Sequence, residues 1–262
     1  MFVAVLLAVA KRADAESPDR LIIVPQGGSQ WQASRADVEK VLYSTASALW
    51  CYFPDRTLAP IHVEPKGGPI VLFERGPNNE YLVKLNTGET YWSQYGYQFA
   101  HEFCHILSQY DQDPHRHGWF EESLCELASI FALRRMSESW KTQPPYPNWR
   151  NYASSLSRYA DNLVQQGRLP DDQTFAMWFR SNLPALEEMA TDRPRNRIVA
   201  VQLLPLFERE PESWQAIESV NTEKLTRRYS FQMYLEAWHR NAPAGRRNFI
   251  ATIAKQFEIA ID

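Results

Sequence analysis

His101-Glu102-Phe103-Cys104-His105 is an H-E-x-x-H run. By this spacing one helix offers a divalent metal two imidazoles and offers a metal-bound water a carboxylate. On a helix over residues 92–110, the two histidines fall about 40° apart on one side. Tyr95, Phe99, Phe103, Ile106 and Tyr110 fall on the other, so such a helix buries one side and gathers both imidazoles on its opposite. Glu122 comes seventeen residues after His105. A carboxylate there completes a three-ligand zinc site with a fourth position left for water. In a site of this kind the ion lowers the pKa of its water to about 7 and polarises a carbonyl, and Glu102 is the general base.

The downstream segment repeats the pattern. On a helix starting near Trp119, Glu122, Glu126 and Ser129 line one side, while Phe120, Leu124, Leu127 and Phe131 line the other. Glu122 and Glu126 are one turn apart, so one can ligate while the other accepts the spare N–H of a ligand histidine, which fixes the tautomer. Glu121 reads as an acidic first-turn residue that favours the helix dipole. Asp111, His115 and His117 are competing third donors, the two histidines lying in the loop Asp113-Pro114-His115-Arg116-His117-Gly118. The same histidines are alternatively residues of the cleft rim that contact substrate.

With His101-Glu102-x-x-His105, Trp119-Phe120-x-Glu122-Ser123 and Glu126 in place, residues 92–136 resemble the gluzincin branch of the zincin metallopeptidases, the thermolysin-like group. Ser123 stands where members usually carry glycine. A metzincin would need a glycine and a histidine where this chain has Ser108 and Asp111. The gluzincin resemblance implies zinc as cofactor, with His101, His105 and Glu122 as ligands, Glu102 as base and Glu126 as an outer partner. It implies a peptide or protein substrate and amide hydrolysis. It also implies an oxyanion donor, a tyrosine or histidine from the downstream half: Tyr146, Tyr152, Tyr159, Tyr229 and Tyr234 are candidates, with His115 and His117 beside them. In zincins the last strand before the motif helix tends to be a sheet edge that can take an extended peptide; residues 81–85 are the expected counterpart. Two other readings stand: a zincin scaffold that binds peptide or cell-wall material without turnover, and a metal-free helical binding domain.

The elements that must position these residues follow from pattern. Short apolar runs at 21–24, 60–63, 70–73 and 81–85 predict strands, separated by turn sequences such as Gly76-Pro77-Asn78-Asn79. Val38, Val41, Leu42, Ala46 and Leu49 predict a helix over 35–50. The Pro-rich stretch 141–149 predicts a linker across the top of the site, and helices follow near 151–166, 173–189, 195–208, 212–220, 224–240 and 246–258. The expected fold class is α+β and zincin-like, with a lobe over 16–140 carrying a small mixed sheet and both active-site helices, then a helical lobe over 150–262.

A chain of 262 residues with 44% hydrophobic residues can bury a full core. Net charge is −3, with lysines and arginines scattered, so no basic face recommends nucleic acid as a partner. The apolar run Phe2–Ala10 is too short to span a bilayer. With Ala13-Asp14-Ala15 it reads as a secretory signal over residues 1–15 and predicts export, while no later stretch reaches membrane-span length. Of Cys51, Cys104 and Cys125, the last two accompany the motif helices. They either face each other in a disulfide formed after export or stay as buried thiols.

Overall fold

The alternating runs of the first third build one small sheet under a helix. A computed structural model describes residues 20–110, 116–224 and 229–261. In it β1 (Ile23–Pro25), β2 (Ile61–Glu64) and β4 (Tyr81–Lys84) run parallel, and β3 (Ile70–Val71) lies antiparallel to β4, in the order β1-β2-β4-β3. Ile61 pairs with Tyr81 and Val71 with Val83. Alternation along the strands buries Ile23, Ile61, Val63 and Val83 on the core side. Covering them is α1 (Arg35–Trp50), whose Ser34 hydroxyl caps the first turn by accepting from the Asp37 N–H at 3.0 Å. Its Val38, Val41, Leu42 and Leu49 are fully buried.

The expected edge strand is corrected here. Residues 81–84 lie inside the sheet, whose edges are β1 and β3. The segment 72–80 turns back through a Gly76–Glu80 backbone bond of 2.9 Å and lays β4 between β2 and β3.

Beyond the sheet the chain is helical: α2 (Trp92–Leu107), α3 (Gly118–Thr142), α4 (Ala153–Gln166), α5 (Phe175–Glu188), α6 (Arg193–Arg209), α7 (Phe231–Asn241) and α8 (Ala244–Gln256), with 3-10 turns over Pro147–Tyr152 and Pro211–Ser219. The protein is thus mixed α+β with a helical body. The long α3 packs on α1 and α2 on one side and on α4 and α6 on the other. One continuous core consequently runs from Leu21 to Phe257 through both halves of the chain.

The side of α2 that carries the histidines is itself largely covered: Ala100, His101, Glu102 and Cys104 are buried, as are Phe99 and Phe103. The expected linker is corrected: the stretch 141–149 does not cross the site. Tyr146 packs edge-on against Trp149, which stacks on Trp92 and lies beside Trp140, and Tyr146 also receives Lys40 of α1 over its ring. The proposed secretory signal over residues 1–15 lies outside the described residues. Among the described residues no helix is long and apolar enough to cross a membrane.

Candidate metal centre

Two antiparallel helices build the centre, and each is pinned at the end that matters. Trp119 and Phe120 open α3 inside a ring cluster with Phe179, Phe231 and Phe257; the Trp119 and Phe231 rings are 4.7 Å apart. That anchor sets the rotation of the first turn, so Glu121 and Glu122 face α2. At the other helix, Arg56 donates to the carbonyls of Ile106 and Leu107 at 2.9 and 2.6 Å, satisfying the last turn of α2. Along the seam, Gly96 sits close under Met136 and Leu133; a Cβ at this position would lie 3.2 Å from the Met136 sulfur. The Ser129 hydroxyl donates to the Tyr97 carbonyl at 2.8 Å.

These anchors bring the motif residues together. Glu122 Oε2 is 3.2 Å from His101 Nε2, and Glu122 Oε1 is 3.7 Å from His105 Nε2. His105 Nδ1 lies 2.8 Å from Glu121 Oε1, and the Ser108 hydroxyl donates to the same oxygen at 2.8 Å. A carboxylate accepts only, so Nδ1 carries a proton in this contact, and Nε2 is the nitrogen turned toward Glu122. Glu102 is buried and lines the same cleft of about 410 Å³, together with both histidines, Glu121 and Glu122.

Burial alone would lower the pKa of His105, but the Glu121 hydrogen bond and the charges of Glu121, Glu122 and Glu102 raise it to about 10. Burial pushes Glu122 upward, yet its hydrogen bond to His101 and the charge of His105 leave its pKa below the usual carboxylate value. Two imidazoles and a carboxylate on the wall of an open cleft form a donor set that suits zinc.

A second trio competes. One ring nitrogen of each histidine and the Cys125 sulfur lie within 4.8 Å of one another. Cys125 is wholly buried one turn beyond Glu121 and does not line the cleft. Burial, then the neighbouring Cys104 thiol, pushes its thiol pKa up, which disfavours the ligating thiolate. Glu122, unlike Cys125, has its pKa held low and lines the open cleft. Cys104 and Cys125 face each other as free thiols.

Glu126 does not reach a histidine. Its side of α3 does face α2, but four residues of antiparallel travel carry it past the imidazoles to Tyr97 of α2, whose hydroxyl donates to it at 2.6 Å, while Arg197 Nε of α6 donates at 2.6 Å from the other side. The carboxylate that does meet a histidine Nδ1 is that of Glu121. Position in the first turn suggested only a dipole role for it, and nothing in spacing alone revealed that α3 crosses α2 with Glu121 above His105. His117 is also displaced from its expected place at the cleft rim. It is fully buried, donates from Nε2 to the Tyr229 carbonyl at 2.8 Å and packs on Phe231 and Tyr234. His115 and Asp111 lie outside the described residues.

None of the five expected tyrosines lines the cleft. Tyr146 is held beside α1, Tyr152 bonds the Ser93 N–H, Tyr159 packs on Tyr97, Tyr229 offers its carbonyl to His117, and Tyr234 is buried among rings. Tyr110 lines it instead. A helix continued to residue 110 would place Tyr110 on the apolar side. α2 ends at Leu107, Gln109 takes a left-handed φ of 57°, and Tyr110 swings out to donate to the Leu72 carbonyl at 2.6 Å. Burial pushes its hydroxyl pKa up to about 12.

Comparison with protein-family models, curated proteins and solved structures finds no match to this chain.

Proposed function

We propose that the protein is a zinc-dependent, peptidase-like hydrolase of gluzincin type on a zincin-like scaffold, with His101, His105 and Glu122 as ligands and Glu102 as general base. The supporting observation is the convergence of the Glu122 carboxylate on Nε2 of both histidines, at 3.2 and 3.7 Å, in a cleft that Glu102 also lines. Zinc held by these three residues would supply an acidified water and polarise the scissile carbonyl. Glu102 takes the proton of the attacking water and delivers it to the leaving amine. Glu121 holds the Nδ1 proton of His105, keeping Nε2 aimed at the cleft. Tyr110, neutral at physiological pH, is the cleft-lining donor suited to the developing oxyanion once its hydroxyl leaves the Leu72 carbonyl. The edge strand β3 borders the same cleft through Ile70 and Val71, where an extended peptide can add as a further strand. The reading includes export, on the apolar run Phe2–Ala10 and the Ala13-Asp14-Ala15 that follows.

The test is Glu102→Gln. The variant is expected to keep its zinc in elemental analysis and to lose peptide hydrolysis by about 10²–10⁴-fold. Hydrolysis at the parent's rate overturns the base assignment. A zinc-loaded parent that cleaves nothing in a peptide-library digest, with or without chelator, points to the non-catalytic scaffold.

A further inference from the structure

The cleft has two contrasting walls. Pro69, Ile70, Val71 and Phe73 make an apolar one; Ala190, Thr191 and Arg193, at the start of α6, make the other. Arg193 is the one lysine or arginine in this lining. It is exposed, and among the described residues it forms no hydrogen bond or ion pair. Three acids on the neighbouring segments are already engaged: Asp192 caps α6 and pairs with Arg195, Glu187 pairs with Arg116, and Glu126 pairs with Arg197. Its charge reaches Glu122, where it adds to the imidazoles in holding that carboxyl low.

The other charged groups in the cleft impose a constraint. Glu102, Glu121 and Glu122 line it, so a substrate carboxylate is repelled everywhere except beside a ligated ion or beside Arg193. A guanidinium presents a planar fork that matches a carboxylate in two parallel hydrogen bonds. Resting on the hydrolase reading, we propose that Arg193 receives a carboxylate of the substrate, so that the preferred class is peptides bearing a carboxylate near the scissile bond. That carboxylate is either the C-terminal α-carboxylate or an Asp or Glu side chain.

The test uses zinc-loaded parent and Arg193→Ala, a substitution that removes no contact on which the fold depends. Affinities are measured by calorimetry for two pairs of dipeptide hydroxamates. One pair differs only in a C-terminal carboxylate against a carboxamide. The other carries an amidated C-terminus and differs in a Glu against a Gln side chain. The parent is expected to bind the acid of one pair about tenfold tighter than its amide, the size of a charge-assisted contact. Arg193→Ala is expected to bind both members of that pair alike, and the responsive pair tells terminal from side-chain carboxylate. Equal affinities within both pairs for the parent overturn the inference, as does a variant that weakens acid and amide equally. Failure of the parent to take up zinc, or to bind any of the four hydroxamates, refutes the metal-centre reading and this inference together; zinc uptake without discrimination refutes this inference alone.

Discussion

The imidazole of His105 is held by three acids, and that has a consequence for metal uptake. Its pKa, raised from 6.5 to about 10 in the metal-free fold, means that the ring carries an extra proton at neutral pH. The sign follows for stability: this contribution to the metal-free fold is complete below 6.5 and is lost as pH rises through about 10. A ligand nitrogen must give up its proton, so zinc binding releases about one proton at pH 7 and tightens as pH rises. Calorimetry in buffers of different ionisation enthalpy measures that number, and a value of zero would show a neutral His105. The third ligand is decided at the same scale. Glu122→Ala is expected to lower zinc affinity by at least tenfold while Cys125→Ser leaves it unchanged; equilibrium dialysis that gives the reverse order would move the ion to the buried sulfur.

At the scale of elements, the centre depends on how α2, α3 and α6 are clamped. Glu126 is buried, and its only charge partner among the described residues is Arg197, with Tyr97 closing the triangle. Burial raises the Tyr97 hydroxyl pKa, and Glu126 raises it further, so tyrosine stays a donor there. Arg197→Ala leaves a buried carboxylate unpaired and is expected to cost about 3 kcal/mol in chemical denaturation. Adding Glu126→Gln should recover part of that loss, and a double variant as unstable as the single one would show that Arg197 acts through packing. This triangle also marks where reading the sequence stopped. The spacings of α1, α2 and α3 and the strand runs were legible, because burial on one side imposes a period that needs no partner to be seen. That His101, Glu102, His105 and Glu122 could share one place was legible as a motif, because the pattern fixes residue type and interval, and the structure brings them to one cleft. The contacts of Glu121, Glu126, His117 and Tyr110 were not. Each depends on the crossing of helices, or on where a helix ends, and no local period encodes either.

For the whole molecule, occupancy of the centre is linked to unfolding. Free zinc at a hundred times its dissociation constant stabilises the fold by about 2.7 kcal/mol, which corresponds to about 5–10 °C in Tm for a chain of this size. Scanning calorimetry with and without EDTA reads the difference, and an unchanged Tm would exclude ligation at the junction of α2 and α3. The order of elements was legible, but the sharing of one core was not, since apolar residues do not announce which neighbours they will meet. That sharing is carried by α3: Trp119 and Phe120 meet Phe231 and Phe257, and Phe131 meets Trp214, all from the later half. A break near residue 145 would therefore strand large rings on both fragments. Recombination could not lend either portion to another gene as an independent cassette; the sheet, the ligand-bearing coils and the trailing bundle are inherited together or not at all.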